Sequence, residues 1–86
     1  MKLEIEIPDY NKNVGIKYSW EDSFDIKVTV VNGEVQIAAN PAGLRSLANH
    51  LLNLSQDSIP SGRHLHFDEY NSLEDGSNSL TITKCD

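Results

Sequence analysis

His64-Leu65-His66-Phe67-Asp68 places two imidazoles and a carboxylate at every second position of the chain. In an extended strand successive side chains point to opposite faces, so His64, His66 and Asp68 share one face and Leu65 and Phe67 the other. Imidazole nitrogens and a carboxylate oxygen suit a divalent ion such as zinc or nickel, provided a third element completes the shell. The same alternation also describes the solvated face of a half-buried strand. His50 is a poor third ligand, since it falls in a helical stretch that would lie on the far side of the sheet. One functional alternative is therefore a small metal-binding or enzymatic module built on His64, His66 and Asp68.

Elsewhere the residue types of catalysis occur without its spacing. Glu21-Asp22 and Glu74-Asp75 are adjacent pairs in loop-like sequence, with nothing to separate their pKa values into an acid and a base. No serine sits in a nucleophile-presenting turn, and Asp75-Gly76 is a turn signal rather than a phosphate cradle of repeated glycines. The chain reads as a non-enzyme that needs no cofactor. Tyr10, Tyr18, Trp20 and Tyr70 stand in or beside polar stretches, where aromatic rings anchor interfaces. For Trp20 the stronger expectation is that it seals the edge of a small core.

The elements that must position these residues follow from periodicity. Leu3, Ile5 and Ile7 alternate with charged residues up to Pro8-Asp9, which predicts a first strand. Val14 to Trp20 reads as a short strand or an irregular edge. Phe24, Ile26, Val28 and Val30 alternate again, and Asn32-Gly33 supplies the two positive-φ positions of a type I′ hairpin turn. The returning strand runs from Val35 to Ala39 with Val35, Ile37 and Ala39 inward. Asn40-Pro41 is a helix start, because the Asn side chain accepts first-turn amides and Pro at the first helical position loses no bond. The helix should run to near Gln56, with Leu44, Leu47, Ala48, Leu51, Leu52 and Leu54 on the sheet and Arg45, Asn49 and Asn53 toward water. Asp57 to Gly62 breaks it, the His64 strand follows, and Leu80 and Ile82 mark a last strand.

The expected fold is α+β in the order β-β-β-α-β-β, one antiparallel or mixed sheet of about five strands with a single helix on one face. Its uncovered face would be polar, from Lys2, Glu4 and Glu6 through His64, His66 and Asp68 to Thr81 and Thr83. At 86 residues, 1–86 make a single domain with one modest core. Hydrophobic residues at 38% and charged residues at 23% give a soluble, folded balance. The net charge of −6 and the scatter of Lys and Arg disfavour nucleic acid, while an acidic surface speeds encounter with a basic protein. No apolar run reaches membrane-spanning length and the alternating start lacks a signal peptide's apolar block, so the expected location is cytoplasmic. A lone Cys85 excludes an intrachain disulfide and a thiolate metal cluster.

Three segments carry a family resemblance. They are Pro8-Asp-Tyr-Asn-Lys-Asn13 with Trp20-Glu-Asp22, then Ala39-Asn-Pro-Ala-Gly-Leu-Arg-Ser-Leu-Ala-Asn-His-Leu-Leu52, and Pro60 to Ser77 with its His-Leu-His-Phe-Asp and Leu-Glu-Asp-Gly-Ser runs. Together they resemble the immunity protein 32 family of bacterial polymorphic toxin systems. The resemblance implies a small cytoplasmic protein that binds and neutralises a cognate protein toxin. Blocking would be steric and electrostatic, with His64, His66, Asp68, Glu69, Tyr70, Glu74 and Asp75 as the partner-facing set. Besides the metal module, a homodimer formed through the open sheet face or an edge strand is the other alternative.

Overall fold

The computed structural model describes residues 1–13, 15 and 19–86, with the elements β1 (Ile26–Val31), β2 (Glu34–Ala39), α1 (Pro41–Leu54), β3 (His64–Phe67) and β4 (Leu80–Thr83). The strand expected at Val14 to Trp20, and with it Tyr18, falls largely outside the described residues.

The hairpin expected at Asn32-Gly33 forms, and a second strand pair joins β3 to β4. β1 and β2 pair antiparallel from Ile26↔Ala39 to Val31↔Glu34, and Asn32 (φ 52°) and Gly33 (φ 78°) both take the left-handed conformation that a type I′ turn demands. β3 and β4 pair antiparallel from His64↔Thr83 to Phe67↔Leu80. The expectation of one sheet of five strands is overturned: the fold is α+β, with two separate two-stranded antiparallel sheets and one helix. The hairpins meet through a loop instead of a ladder. Glu74 N–H donates to Ile26 O (2.9 Å) and Asn78 N–H to Val28 O (2.7 Å), while the Ser77 hydroxyl oxygen accepts from Val28 N–H (3.2 Å), so residues 74–78 occupy the outer edge of β1.

The expected first strand is absent as well. Residues 1–10 form no strand, because alternation fixes two faces of an extended segment without supplying a neighbour for its backbone. Their anchor is the Gln56 side chain, which accepts from Tyr10 N–H and donates to Pro8 O, each at 3.0 Å. Consequently Lys2, Glu4 and Glu6 do not share a sheet face with His64 and His66.

The helix begins as the sequence requires, with Asn40 Oδ1 accepting from Gly43 N–H at 2.8 Å and Pro41 at the first helical position. Its rotation is different from the leucine stripe. The buried residues are Gly43, Ser46, His50, Asn53 and Leu54, whereas Leu44, Leu51, Leu52 and Ala48 are exposed and Leu47 is half-buried. Backbone contact decides this. A Cβ on Gly43 would lie 2.5 Å from Asp25 O and 2.9 Å from Ile26 Cγ1, so the helix meets β1 at its one position without a side chain. Ser46 Oγ accepts from Glu21 N–H at 3.0 Å, and Asn53 Nδ2 donates to Asn49 O at 2.9 Å and to Asn49 Oδ1, keeping its polar end satisfied in the interior.

The core draws on every element, β2 least: Ile26, Val28, Leu54, Ile59, Leu65, Phe67 and Leu73 are buried, and Tyr10, Trp20, Phe24, Ala39, Leu47, Leu80 and Ile82 pack on them. Of the three β2 residues expected inward, Ala39 alone is partly buried. Val35 is 57% and Ile37 40% exposed, since the helix covers the Ile26–Ala39 end of the hairpin face and not the end near the turn.

Candidate functional site

The alternation in 64–68 sorts the residues as expected: Leu65 and Phe67 are buried and His64 and His66 exposed. Lys84 N–H donates to Arg63 O at 2.8 Å, so 63 and 84 are a hydrogen-bonded pair and the next, His64 with Thr83, is not. Alternation makes His66 with Thr81 non-hydrogen-bonded too, the pairing in which cross-strand side chains approach most closely. Accordingly His66 Nδ1 lies 3.0 Å from Thr81 Oγ1, and its Nε2 lies 3.2 Å from Asp68 Oδ2. A carboxylate accepts, so Nε2 carries the proton and Nδ1 of the neutral ring takes the threonine hydroxyl's hydrogen. His64 Nδ1 faces Gly62 O at 3.4 Å. Both His66 nitrogens are thus occupied by protein groups, and among the described residues no group of three or more His, Cys, Asp or Glu is placed to hold a metal ion.

Asp68 ends β3 and organises the loop beyond it. Its carbonyl oxygen accepts from the amides of Asn71, Ser72 and Leu73, and its Oδ1 accepts from Tyr70 N–H at 2.9 Å. Asn71 closes the loop from the other side, its Oδ1 accepting from Asp68 N–H (3.0 Å) and its Nδ2 donating to His66 O (3.1 Å). Glu69 Oε2 accepts from Gly76 N–H at 2.9 Å, Leu73 plugs into the core, and Glu74 N–H is spent on β1. Tyr70 rides on this frame with 89% of its surface exposed.

The seven proposed partner-facing residues therefore divide by role. His64, Tyr70, Glu74 and Asp75 are exposed, and no bond among the described residues occupies their side chains apart from the long His64 contact. Asp68 and Glu69 are partly buried and hold the loop's own amides, and His66 is exposed but bridges Thr81 and Asp68. A depression of about 170 Å³ lined by Trp20, His66, Phe67, Asn71 and Ser72 lies beside this surface. It is smaller than the ~300 Å³ at which ligand pockets begin.

Periodicity missed what underlies that surface. Trp20 stacks on Phe24 (centroids 4.3 Å apart) and lies tilted against His50 (4.2 Å), with Phe67 edge-on to Trp20 at 6.0 Å. His50 is buried, and burial pushes its pKa below the ordinary histidine value. Its Nε2 sits 3.2 Å from Ser19 O and, facing a carbonyl, carries the proton. Glu21 and Arg45 form a bidentate pair (2.8 and 2.9 Å), and this hydrogen bonding holds the Glu21 carboxyl below its usual range. The signal for the helix face was present as Gly43, Ser46, His50 and Asn53 at steps of three and four, in residue types a hydrophobic count ignores.

No helix among the described residues is long and apolar enough to cross a membrane. Compared with known proteins, residues 34–85 match the family model for immunity protein 32. That span holds β2, α1, β3, β4 and the 68–77 loop, and so two of the three segments that carry the resemblance. No curated protein and no solved structure matches the chain.

Proposed function

The chain belongs to the immunity protein 32 family, and we propose that it protects its cell by binding a cognate protein toxin in the cytoplasm and covering the toxin's working surface, without catalysis of its own. The observation that carries the choice of surface is Tyr70: an aromatic ring 89% exposed on a loop whose backbone is bonded through Asp68, Asn71 and Glu69. A ring presented by an already ordered loop loses little freedom on docking, which favours it as an anchor. Glu74 and Asp75 stand exposed farther along the same loop, and with the net charge of −6 they favour a basic partner.

The loop's internal bonds dictate the test. Reversing Asp68 or Glu69 would unpick the loop itself, so Tyr70→Ala and the double change Glu74→Lys/Asp75→Lys are the informative variants. Co-expressed with the product of the neighbouring gene as the candidate toxin, the wild type should restore growth and co-purify with it. Tyr70→Ala should weaken the complex by about 2 kcal/mol or more, roughly thirtyfold, in calorimetry. Full protection by both folded variants would place the toxin elsewhere on the molecule.

A further inference from the structure

The two edges of the β1–β2 hairpin are treated differently. Asn40 N–H donates to Asp25 O at 3.1 Å, which makes 25/40 a hydrogen-bonded pair and, by alternation, 27/38, 29/36 and 31/34 as well. The backbone groups of Ile26 and Val28 then face away from β2, and they are the ones that residues 74–78 satisfy. Those of Val35 and Ile37 face away from β1, and among the described residues no hydrogen bond reaches them. This bare edge also lacks the usual protections, since Glu34-Val-Gln-Ile-Ala-Ala39 has no proline, no lysine and no bulge, and carries its one charge at the end. Beside it the hairpin's apolar face lies open, with Val30 49%, Val35 57% and Ile37 40% exposed.

We propose that β2 pairs edge to edge with β2 of a second copy, antiparallel about a two-fold axis at Gln36, to form a four-stranded sheet β1-β2-β2-β1. The sequence fits a second copy in particular. Centred on Gln36, the register sets Val35 opposite Ile37 and Ile37 opposite Val35, so the residues with outward-facing backbone groups exchange four hydrogen bonds. It also sets Glu34 opposite Ala38, so no like charges face each other although each chain carries −6. A two-fold axis perpendicular to the sheet keeps both apolar faces on one side, where the Val35–Ile37 cross-strand pairs form one strip. An isologous contact of this kind closes at two copies, which is how a free edge avoids open-ended assembly.

Light scattering after size exclusion, between about 10 µM and 1 mM to resolve a Kd in that range, should give twice the monomer mass for the wild type at the upper end. Val35→Pro removes an N–H that β1 does not use, and Ile37→Lys sets an ammonium in the strip; both should shift the protein to the monomer mass with unchanged circular dichroism. Should either variant fail to fold, hydrogen exchange on the wild type decides: the Val35 and Ile37 amides should be protected at high concentration and lose that protection on dilution, while the Val28 amide does not change. A monomer mass at every concentration overturns the proposal, and so does a dimer that survives in both folded variants. Capture of the toxin by this edge in a chain that stays monomeric would overturn it equally.

Discussion

At the scale of single residues, the group with the clearest physical consequence is His50, which the sequence places only on the helix, on the far side of the sheet from His64 and His66, and the structure buries among Trp20, Phe67 and Ser19 O. Burial disfavours the imidazolium, so the folded pKa lies below the ordinary histidine value of about 6.5. Between the two values the unfolded chain binds more protons than the folded one, and stability therefore rises with pH across that window. The contribution is fully present above about pH 6.5 and is lost as pH falls through the lowered folded value. Glu21, its carboxyl lowered by the Arg45 hydrogen bond, acts in the same direction in a more acidic range. Urea unfolding of the wild type at pH 7.5 and pH 5.5 should show the lower midpoint at pH 5.5. His50→Gln, which keeps an N–H for Ser19 O without a titrating ring, should narrow that difference; an equal difference in both proteins would remove His50 as its source.

At the scale of elements, the helix start and the first hairpin turn were legible because local chemistry fixes them: Asn40-Pro41 and Asn32-Gly33 need no tertiary partner to favour their conformations. The rotation of α1 was not legible, because two effects compete there and the sequence displays only one. The leucine stripe offers apolar area, whereas Gly43, Ser46 and Asn53 offer close approach and bonds to loop backbone, and the latter face is the one buried. The row at 64–68 was legible in its faces, as Leu65 and Phe67 have a core to enter, but not in the loop bonds that Asp68 and Glu69 make. Substituting Gly43 separates the two effects. Alanine should gain about 1 kcal/mol of helix propensity, yet its Cβ would meet Asp25 O at 2.5 Å, a clash with backbone worth about 1–3 kcal/mol or more. Gly43→Ala should therefore lower the Tm, and a rise would show that α1 can slide off β1. Asn40→Ala should cost about 2 kcal/mol, the top of the N-cap range, because the same side chain also accepts from Asp25 N–H and donates to Ser23 O.

At the scale of the whole molecule, two short hairpins that share no ladder must still behave as one unit, since a two-stranded ribbon alone is marginal in water. The structure supplies the coupling at one place. Leu73 enters the core beside Ile26, Val28, Leu65 and Phe67, and the loop it anchors lends the amides of Glu74 and Asn78 to β1, so β1, the loop and β3 share apolar and hydrogen-bonded contact. It follows that neither hairpin has an interior without the other, and unfolding should be a single cooperative step. Trp20 fluorescence, which reports the aromatic stack against α1, and far-ultraviolet circular dichroism should give coincident urea transitions. Leu73→Ala leaves a cavity at the junction and should lower stability by about 2–4 kcal/mol, with the two probes still coincident. If fluorescence and circular dichroism instead separate in that variant, the hairpins are independent units, and the 68–77 loop that carries Tyr70 would then be a tether between them rather than a fixed platform for a toxin.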